Sequence, residues 1–178
     1  MSTSSLEKED LQTGGKKKWS VKRVAIVAVF IALSAVGAMI KIPSPIGSIG
    51  LDSCPGYFCA IAFGGVEGAL VIAIGHLLSA AVVGFPLTIP IHLGIAVTMA
   101  LWALILRFIS KKVKFGLVIG VVVATLLNTF ATGLLLLPVG GWALYVANIP
   151  SLLIASAVNT ILAAIAYKAV KGSKLLAE

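Results

Sequence analysis

The sequence predicts an all-α integral membrane protein: a six-transmembrane-helix bundle with both termini cytoplasmic. Three observations predict it. The 178 residues are 60% hydrophobic and 11% charged, with a mean hydropathy of +1.11, whereas a soluble domain carries about 25% charged residues. A soluble domain of this size buries only about two thirds of its surface, so this much apolar surface belongs in lipid. A span takes about 20 residues, so six spans use about 120 and leave roughly 60 for tails and loops. Finally, the net charge of +8, from 14 basic and 6 acidic residues, comes from lysines and arginines flanking apolar segments. That is the pattern of the positive-inside rule rather than of a nucleic-acid binder.

The chain divides into a polar cytoplasmic tail (1–18), a membrane domain (19–170) and a second cytoplasmic tail (171–178). The first tail has no signal-peptide apolar core, so the first apolar segment reads as a retained span. Lys16, Lys17, Lys18, Lys22 and Arg23 anchor span 1, residues 19–41, which stops at Ile42-Pro43-Ser44-Pro45 because proline cannot continue a helix. A Gly/Ser loop follows to Gly50. Residues 51–83 are apolar almost throughout, too long for one span and short for two. Charge parity settles the matter. Two crossings, turning at residues 64–68, put thirteen of the fourteen basic residues on the cytoplasmic side and leave only Lys41 outside. Span 2, residues 51–63, is then short, about 20 Å. After a break at Phe85-Pro86-Leu87-Thr88-Ile89-Pro90 come span 4 (91–109), closed by Arg107, Lys111, Lys112 and Lys114, and span 5 (115–137). Pro138-Val139-Gly140-Gly141 ends span 5. A short aromatic approach (142–147) leads to span 6 (148–167), followed by Lys168, Lys171 and Lys174.

Polar side chains inside a membrane are costly and face a cavity or the bundle interior. Here most gather toward the outer side. Lys41 and Asp52 flank the first outer loop, Tyr57 lies about one turn into span 2, and His92 opens span 4. Thr125, Asn128 and Thr132 share a face of span 5. Trp142 and Tyr145 precede span 6, Asn148 and Ser151 begin it, and Asn159 lies deeper on the same face. Aromatic planes with a few hydrogen-bonding groups suit an uncharged heteroaromatic ligand. The candidate binding set is therefore Asp52, Tyr57, His92, Asn128, Thr132, Trp142, Tyr145 and Asn148, with Asn148 expected to matter more than Asn159. Singly, the aromatic pair also fits an interfacial belt, and each Asn or Thr an interhelical hydrogen bond. His76, with Ser79 one turn on, reads equally well as a buried hydrogen-bonded histidine.

On span 1, Ala25, Ala28, Ala32 and Ala35 fall on one helix face. Small residues let another helix approach closely, which in lipid substitutes for the missing hydrophobic drive. The stripe fits internal packing or a docking face for another membrane protein.

Several function classes lack their signatures. There is no G-x-S-x-G elbow or H-E-x-x-H helix for a hydrolase, so no enzyme is expected. Cys54 and Cys59 have neither CxxC nor zinc spacing. A metal channel built from His76, His92, Asp52 and the cysteines would have scattered ligands, so no metal site and no cofactor are expected. No phosphate-binding G-x-x-x-x-G-K-[ST] loop supplies ATP chemistry, and no line of acidic residues suggests ion coupling. A polar pocket without a power source points to one subunit of a larger transporter.

With the Ala28-Val-Phe-Ile-Ala32 stripe, the size, the six spans and the cytoplasmic termini, the chain resembles the substrate-binding (S) components of energy-coupling factor (ECF) vitamin transporters over about residues 19–170. The stretches Leu51-Asp-Ser-Cys-Pro-Gly-Tyr57, Phe63-Gly-Gly-Val-Glu-Gly68, Gly75-His-Leu-Leu-Ser79 and Phe85-Pro-Leu-Thr-Ile-Pro90 look like the α-ribazole transporter branch. The resemblance implies a plasma-membrane subunit that binds a vitamin or precursor near the outer face. It implies docking through Ala28 and Ala32 on a transmembrane coupling subunit driven by two cytoplasmic ATPases. The implied substrate is α-ribazole, a cobamide lower-ligand precursor. Alternatives are another vitamin (cobalamin, riboflavin or pantothenate) or a small metal channel.

Overall fold

The computed structural model describes residues 19–45 and 47–173; most of the two tails therefore lies outside the described residues. Helix α1 spans Val21–Gly37, strands β1 and β2 span Lys41–Ser44 and Gly47–Gly50, and helix α2 spans Cys54–Ala62. Helices α3 (Gly65–Val82) and α4 (Ile89–Lys112) follow. Helix α5 (Gly116–Leu126) runs on through a π turn, Leu127–Ala131, and a 3-10 turn, Thr132–Leu136, into α6, Leu137–Val170.

Each boundary has a local cause. The Ser20 hydroxyl accepts from the Arg23 N–H at 3.3 Å and caps α1. Pro55, Pro90 and Pro138 sit in the first turns of α2, α4 and α6, where a missing N–H costs nothing. Gly140 and Gly141 leave helical geometry, Gly141 at φ 63, so the chain turns sharply there before the long last helix begins. Lys111 and Lys112 lie in the last turn of α4 and Lys168 in that of α6, offsetting the negative ends of the helix dipoles.

Mostly helical structure was expected, and the described residues are mostly helical. The exception is the segment read as a Gly/Ser loop. It is an antiparallel hairpin, with Lys41 opposite Gly50, Ile42 opposite Ile49, Pro43 opposite Ser48 and Ser44 opposite Gly47. Pro43 is tolerated because each strand pairs on one side only. Helix α1 accordingly ends at Gly37, four residues short of Lys41. The glycine run 64–68 also divides. Gly64 precedes α3, whereas Gly68 lies inside it, where a Cβ would overlap the Cα and Cβ of Ala60. A Cβ on Gly56 would likewise overlap the backbone of Ile72. Helices α2 and α3 thus pack backbone to backbone.

Helix α2 is the axis of the molecule. It packs against α1, α3, α4 and α6, and Tyr57, Cys59, Ala60 and Ile61 are fully buried. Tyr57, Ile61 and Ile72 join Met99, Ala103, Leu106, Ala124 and Ala163 in the main core. The outward faces are apolar instead of charged: Val29, Leu33, Val97, Phe108 and Ile165 are all exposed, as suits lipid contact. Residues Gly65–Val82, Ile89–Lys112 and Gly116–Val170 are long and apolar enough to cross a membrane.

Charged groups in the interior are matched. The Arg23 guanidinium pairs with Glu67, which is 5% exposed. Arg107 Nη1 donates to the carbonyls of Ala60 at 2.7 Å and Ile61 at 3.2 Å, satisfying the buried end of α2. Both sit at the end of the bundle where the lysines cluster, opposite the hairpin.

Candidate functional site

The cavity follows from the length of α2. Nine residues at about 1.5 Å each give a helix only ~14 Å long. Its first N–H, from Cys54, donates at 2.7 Å to Asn159 Oδ1 near the midpoint of α6. Above that level there is no α2, and residues 48–53 descend from the hairpin to reach it. The unfilled room is a cavity of about 120 Å³. One water needs roughly 10–15 Å³ on this scale, so the space suits a small organic molecule.

Helices, the hairpin and two connecting segments supply the wall. Asp52 and Ser53 come from the segment that links β2 to α2, and Ser48, Ile49 and Gly50 from β2. Helix α3 contributes His76, Ser79 and Ala80, and the α3–α4 loop contributes Val83, Pro86 and Leu87. His92, Ile95 and Met99 lie along α4, while Leu152, Ala155, Ser156 and Asn159 recur at helical spacing along α6. In α5 the backbone widens to a π turn and tightens to a 3-10 turn where Asn128, Thr132, Gly133 and Leu136 meet the cavity. Such π turns re-aim side chains and are frequent at functional sites.

Polar groups in the wall are held in networks. Trp102 Nε1 donates to Thr132 Oγ1 at 2.8 Å, and that hydroxyl donates to Thr98 Oγ1 at 3.0 Å. Asn128 Nδ2 donates to Ser156 Oγ at 2.8 Å, while Asn128 Oδ1 has no partner. Asn159 Nδ2 donates to the carbonyl of Ala155 at 2.9 Å and reaches that of Gly50 at 3.5 Å. Asp52 Oδ2 lies 3.6 Å from His76 Nδ1. His76 Nε2 is 3.1 Å from His92 Nδ1, and the Leu87 N–H faces His92 Nε2 at 3.5 Å. The loop that supplies Leu87 is bent sharply, with Phe85 at φ 51 and Thr88 at φ 75.

Of the residues nominated from sequence, Asp52, His92, Asn128 and Thr132 line this one cavity. Tyr57 is packed in the core beneath it. Trp142 is 66% exposed and meets Tyr145 edge to face, with ring centroids 5.7 Å apart. Tyr145 stands behind the wall: its ring backs Gly133, and its hydroxyl donates to the Phe130 carbonyl at 3.3 Å. Asn148 is buried but does not line the cavity; its Nδ2 donates to the Leu144 carbonyl at 2.9 Å. His76, Ser79, Ser156 and Asn159 are wall residues outside the nominated set. Polar residues one turn apart within apolar helices, Ser156 and Asn159 on α6 and His76 and Ser79 on α3, are the signal that marks them.

Among the described residues there is no group of three or more His, Cys, Asp or Glu placed to hold a metal ion, and Cys54 and Cys59 are free thiols. The stripe residues Ala25, Ala28, Ala32 and Ala35 are exposed on α1, whose buried side is formed by Val27 and Ser34.

A solved structure described as "Structure and mechanism of the S component of a bacterial ECF transporter" is similar over 84% of this chain and 95% of its own, with a TM-score of 0.67 at 21% identity; at that identity the likeness concerns the fold. No curated protein sequence matches the chain. The family described as "ECF transporter, substrate-specific component" matches residues 22–170, nearly the whole membrane domain. The chain therefore belongs to the family of substrate-specific components of ECF transporters: it is a multi-pass plasma-membrane protein, a small-molecule-binding transporter subunit that associates with the ECF module in the membrane, and not an enzyme.

Proposed function

We propose that the cavity between the hairpin and the first turn of α2 is the substrate site, and that its substrate is α-ribazole. The observation that carries this reading is the wall itself. Asp52, His92, Asn128 and Thr132, polar residues that the sequence offers to an uncharged heteroaromatic ligand, converge there with His76, Ser156 and Asn159. In this reading the benzimidazole lies against Ile95, Met99, Leu136 and Leu152 and the imidazole faces, where sulfur and aromatic contacts favour a flat ring. The ribose hydroxyls meet Asp52, the free Oδ1 of Asn128 and Asn159. Tyr57, Trp142, Tyr145 and Asn148 act behind or beside the wall.

The membrane arrangement in this reading is six crossings with both termini cytoplasmic. The hairpin end faces outward and the Lys111, Lys112, Lys168 and Lys171 end faces inward, in keeping with the positive-inside rule. Ala28 and Ala32 on the exposed stripe of α1 form the docking face for the transmembrane coupling subunit, which two cytoplasmic ATPases drive. Their exposure supports docking over internal packing.

Equilibrium titration of the purified protein with α-ribazole, riboflavin, pantothenate and cobalamin tests the substrate. Saturable binding of α-ribazole, tighter than the other three, is the expected result. Tight binding of another vitamin with no saturable α-ribazole binding would overturn it.

A further inference from the structure

We propose that Asp52, His76 and His92 form one proton-ordered relay that presents a single negative charge and no cation to the cavity, so that the site takes a neutral or cationic ligand and rejects an anionic one. The inference rests on the cavity being the substrate site.

Proton placement follows from both ends of the chain of contacts. At one end a backbone N–H can only donate, so the Leu87 N–H makes His92 Nε2 an acceptor. A neutral His92 then carries its proton on Nδ1, which donates to His76 Nε2 across 3.1 Å. That leaves the His76 proton on Nδ1, directed at the Asp52 carboxylate 3.6 Å away. The other end agrees with this order. A lone pair on His76 Nδ1 facing the Asp52 carboxylate would be repelled, so that nitrogen must carry hydrogen. The two ends agree on the His76 Nδ1–H, and the Leu87 N–H at the far end makes both imidazoles neutral with every ring nitrogen engaged.

The consequence is a charge rule. Asp52 is the one charged side chain among the described residues of the wall. The remaining polar groups are hydroxyls, amides and the two imidazoles. Arg23 and Arg107 are engaged at the opposite end, with Glu67 and with the end of α2. Lys41, exposed on β1 opposite Gly50, lies outside the wall, so an anionic group inside the cavity meets a like charge and no counterion within the wall. At an effective dielectric of ~20, two like charges ~4 Å apart repel by an amount worth roughly a hundredfold to a thousandfold in affinity. A hydroxyl, an N–H or a cationic nitrogen is instead welcomed by the Asp52 carboxylate.

The test uses the full-length protein, purified through a tag without histidine, so that the spectrum holds only the two native imidazoles. Long-range proton–nitrogen correlation of the ligand-free, histidine-labelled protein at neutral pH is expected to show both rings neutral and protonated on Nδ1. A doubly protonated ring, or an Nε2–H tautomer on either, would overturn the relay. In parallel, α-ribazole is compared with its 5′-phosphate. A preference for the neutral compound of a hundredfold or more is expected, collapsing to within about tenfold in Asp52→Asn. Equal binding of both by the unaltered protein, or an undiminished preference in Asp52→Asn, would overturn the charge rule and leave the α-ribazole reading standing. If riboflavin binds in place of α-ribazole, the substrate reading fails, and riboflavin against riboflavin 5′-phosphate decides the charge rule in its stead.

Discussion

The Cys54 N–H and the Asn159 side chain meet at 2.7 Å across 105 positions of sequence, and this bond sets the floor of the cavity. Asn159 satisfies the first orphan donor of α2, while its amide nitrogen is tied to Ala155 in its own helix and reaches Gly50 at the foot of the hairpin. Loss of that side chain frees three segments together. Asn159→Ala is expected to cost about 1–2 kcal/mol of stability, as for loss of a helix cap, and to weaken substrate binding at least tenfold. Asn148→Ala, outside the wall, is expected to weaken binding less than threefold. Titration of both variants against the unaltered protein checks the order, which reverses the ranking that sequence suggests.

The stripe on α1 gives a prediction that separates binding from transport. Ala28→Trp and Ala32→Trp place bulk on an exposed face, so substrate affinity of the isolated subunit should stay within about twofold. Uptake by cells carrying the whole transporter should be abolished, since close helix approach depends on small residues. Uptake at normal levels would show that the stripe is not the docking face.

Arg107 closes the buried end of α2 through the carbonyls of Ala60 and Ile61. Charge-assisted hydrogen bonds of this kind contribute about 1.5–3 kcal/mol. Arg107→Gln should therefore lower the midpoint of thermal unfolding by several degrees, with Arg107→Ala at least as damaging. An unchanged melting curve for Arg107→Ala would contradict this role.

Thr88 is held at φ 75, ψ 155, a region that suits glycine and costs other residues about 1–3 kcal/mol. The strain sits in the loop that aims the Leu87 N–H at His92. Thr88→Gly is expected to raise the thermal midpoint slightly while weakening substrate binding, because a relaxed loop no longer fixes the imidazole. A variant that gains stability and keeps full affinity would separate the strain from the site.

Much of the helical layout is legible in the residues. Pro90, Pro138 and the glycine pair 140–141 mark breaks that the structure keeps, because each removes a donor or requires special backbone geometry, whereas Pro43 lies inside β1 and α1 has already ended at Gly37. The hairpin is not legible. Residues 41–50 lack a strong alternation, and their pairing depends on the two segments being brought together. The depth of the site is hidden for a related reason. In a lipid-facing bundle both faces of a helix are apolar, so periodicity does not reveal rotation or level. Asn148 looks nearer a pocket mouth until α2 is seen to begin only at Cys54, beside Asn159. Tyr57 looks available until Gly56 and Gly68 are seen to draw α2 and α3 together and bury it. The convergence of Asp52, His92, Asn128 and Thr132 is legible because each is a polar group toward one end of its own apolar segment.

The most direct test is mass spectrometry of small molecules released from the protein after purification from cells supplied with α-ribazole, with Ser79→Trp as comparison. Ser79 lines the cavity on α3, and an indole there fills the room; thermal unfolding of the variant confirms that it is folded. The account predicts a heteroaromatic riboside in near-stoichiometric amount with the unaltered protein and none with Ser79→Trp. Equal recovery from both proteins, or recovery of a metal ion and no organic ligand, would contradict it.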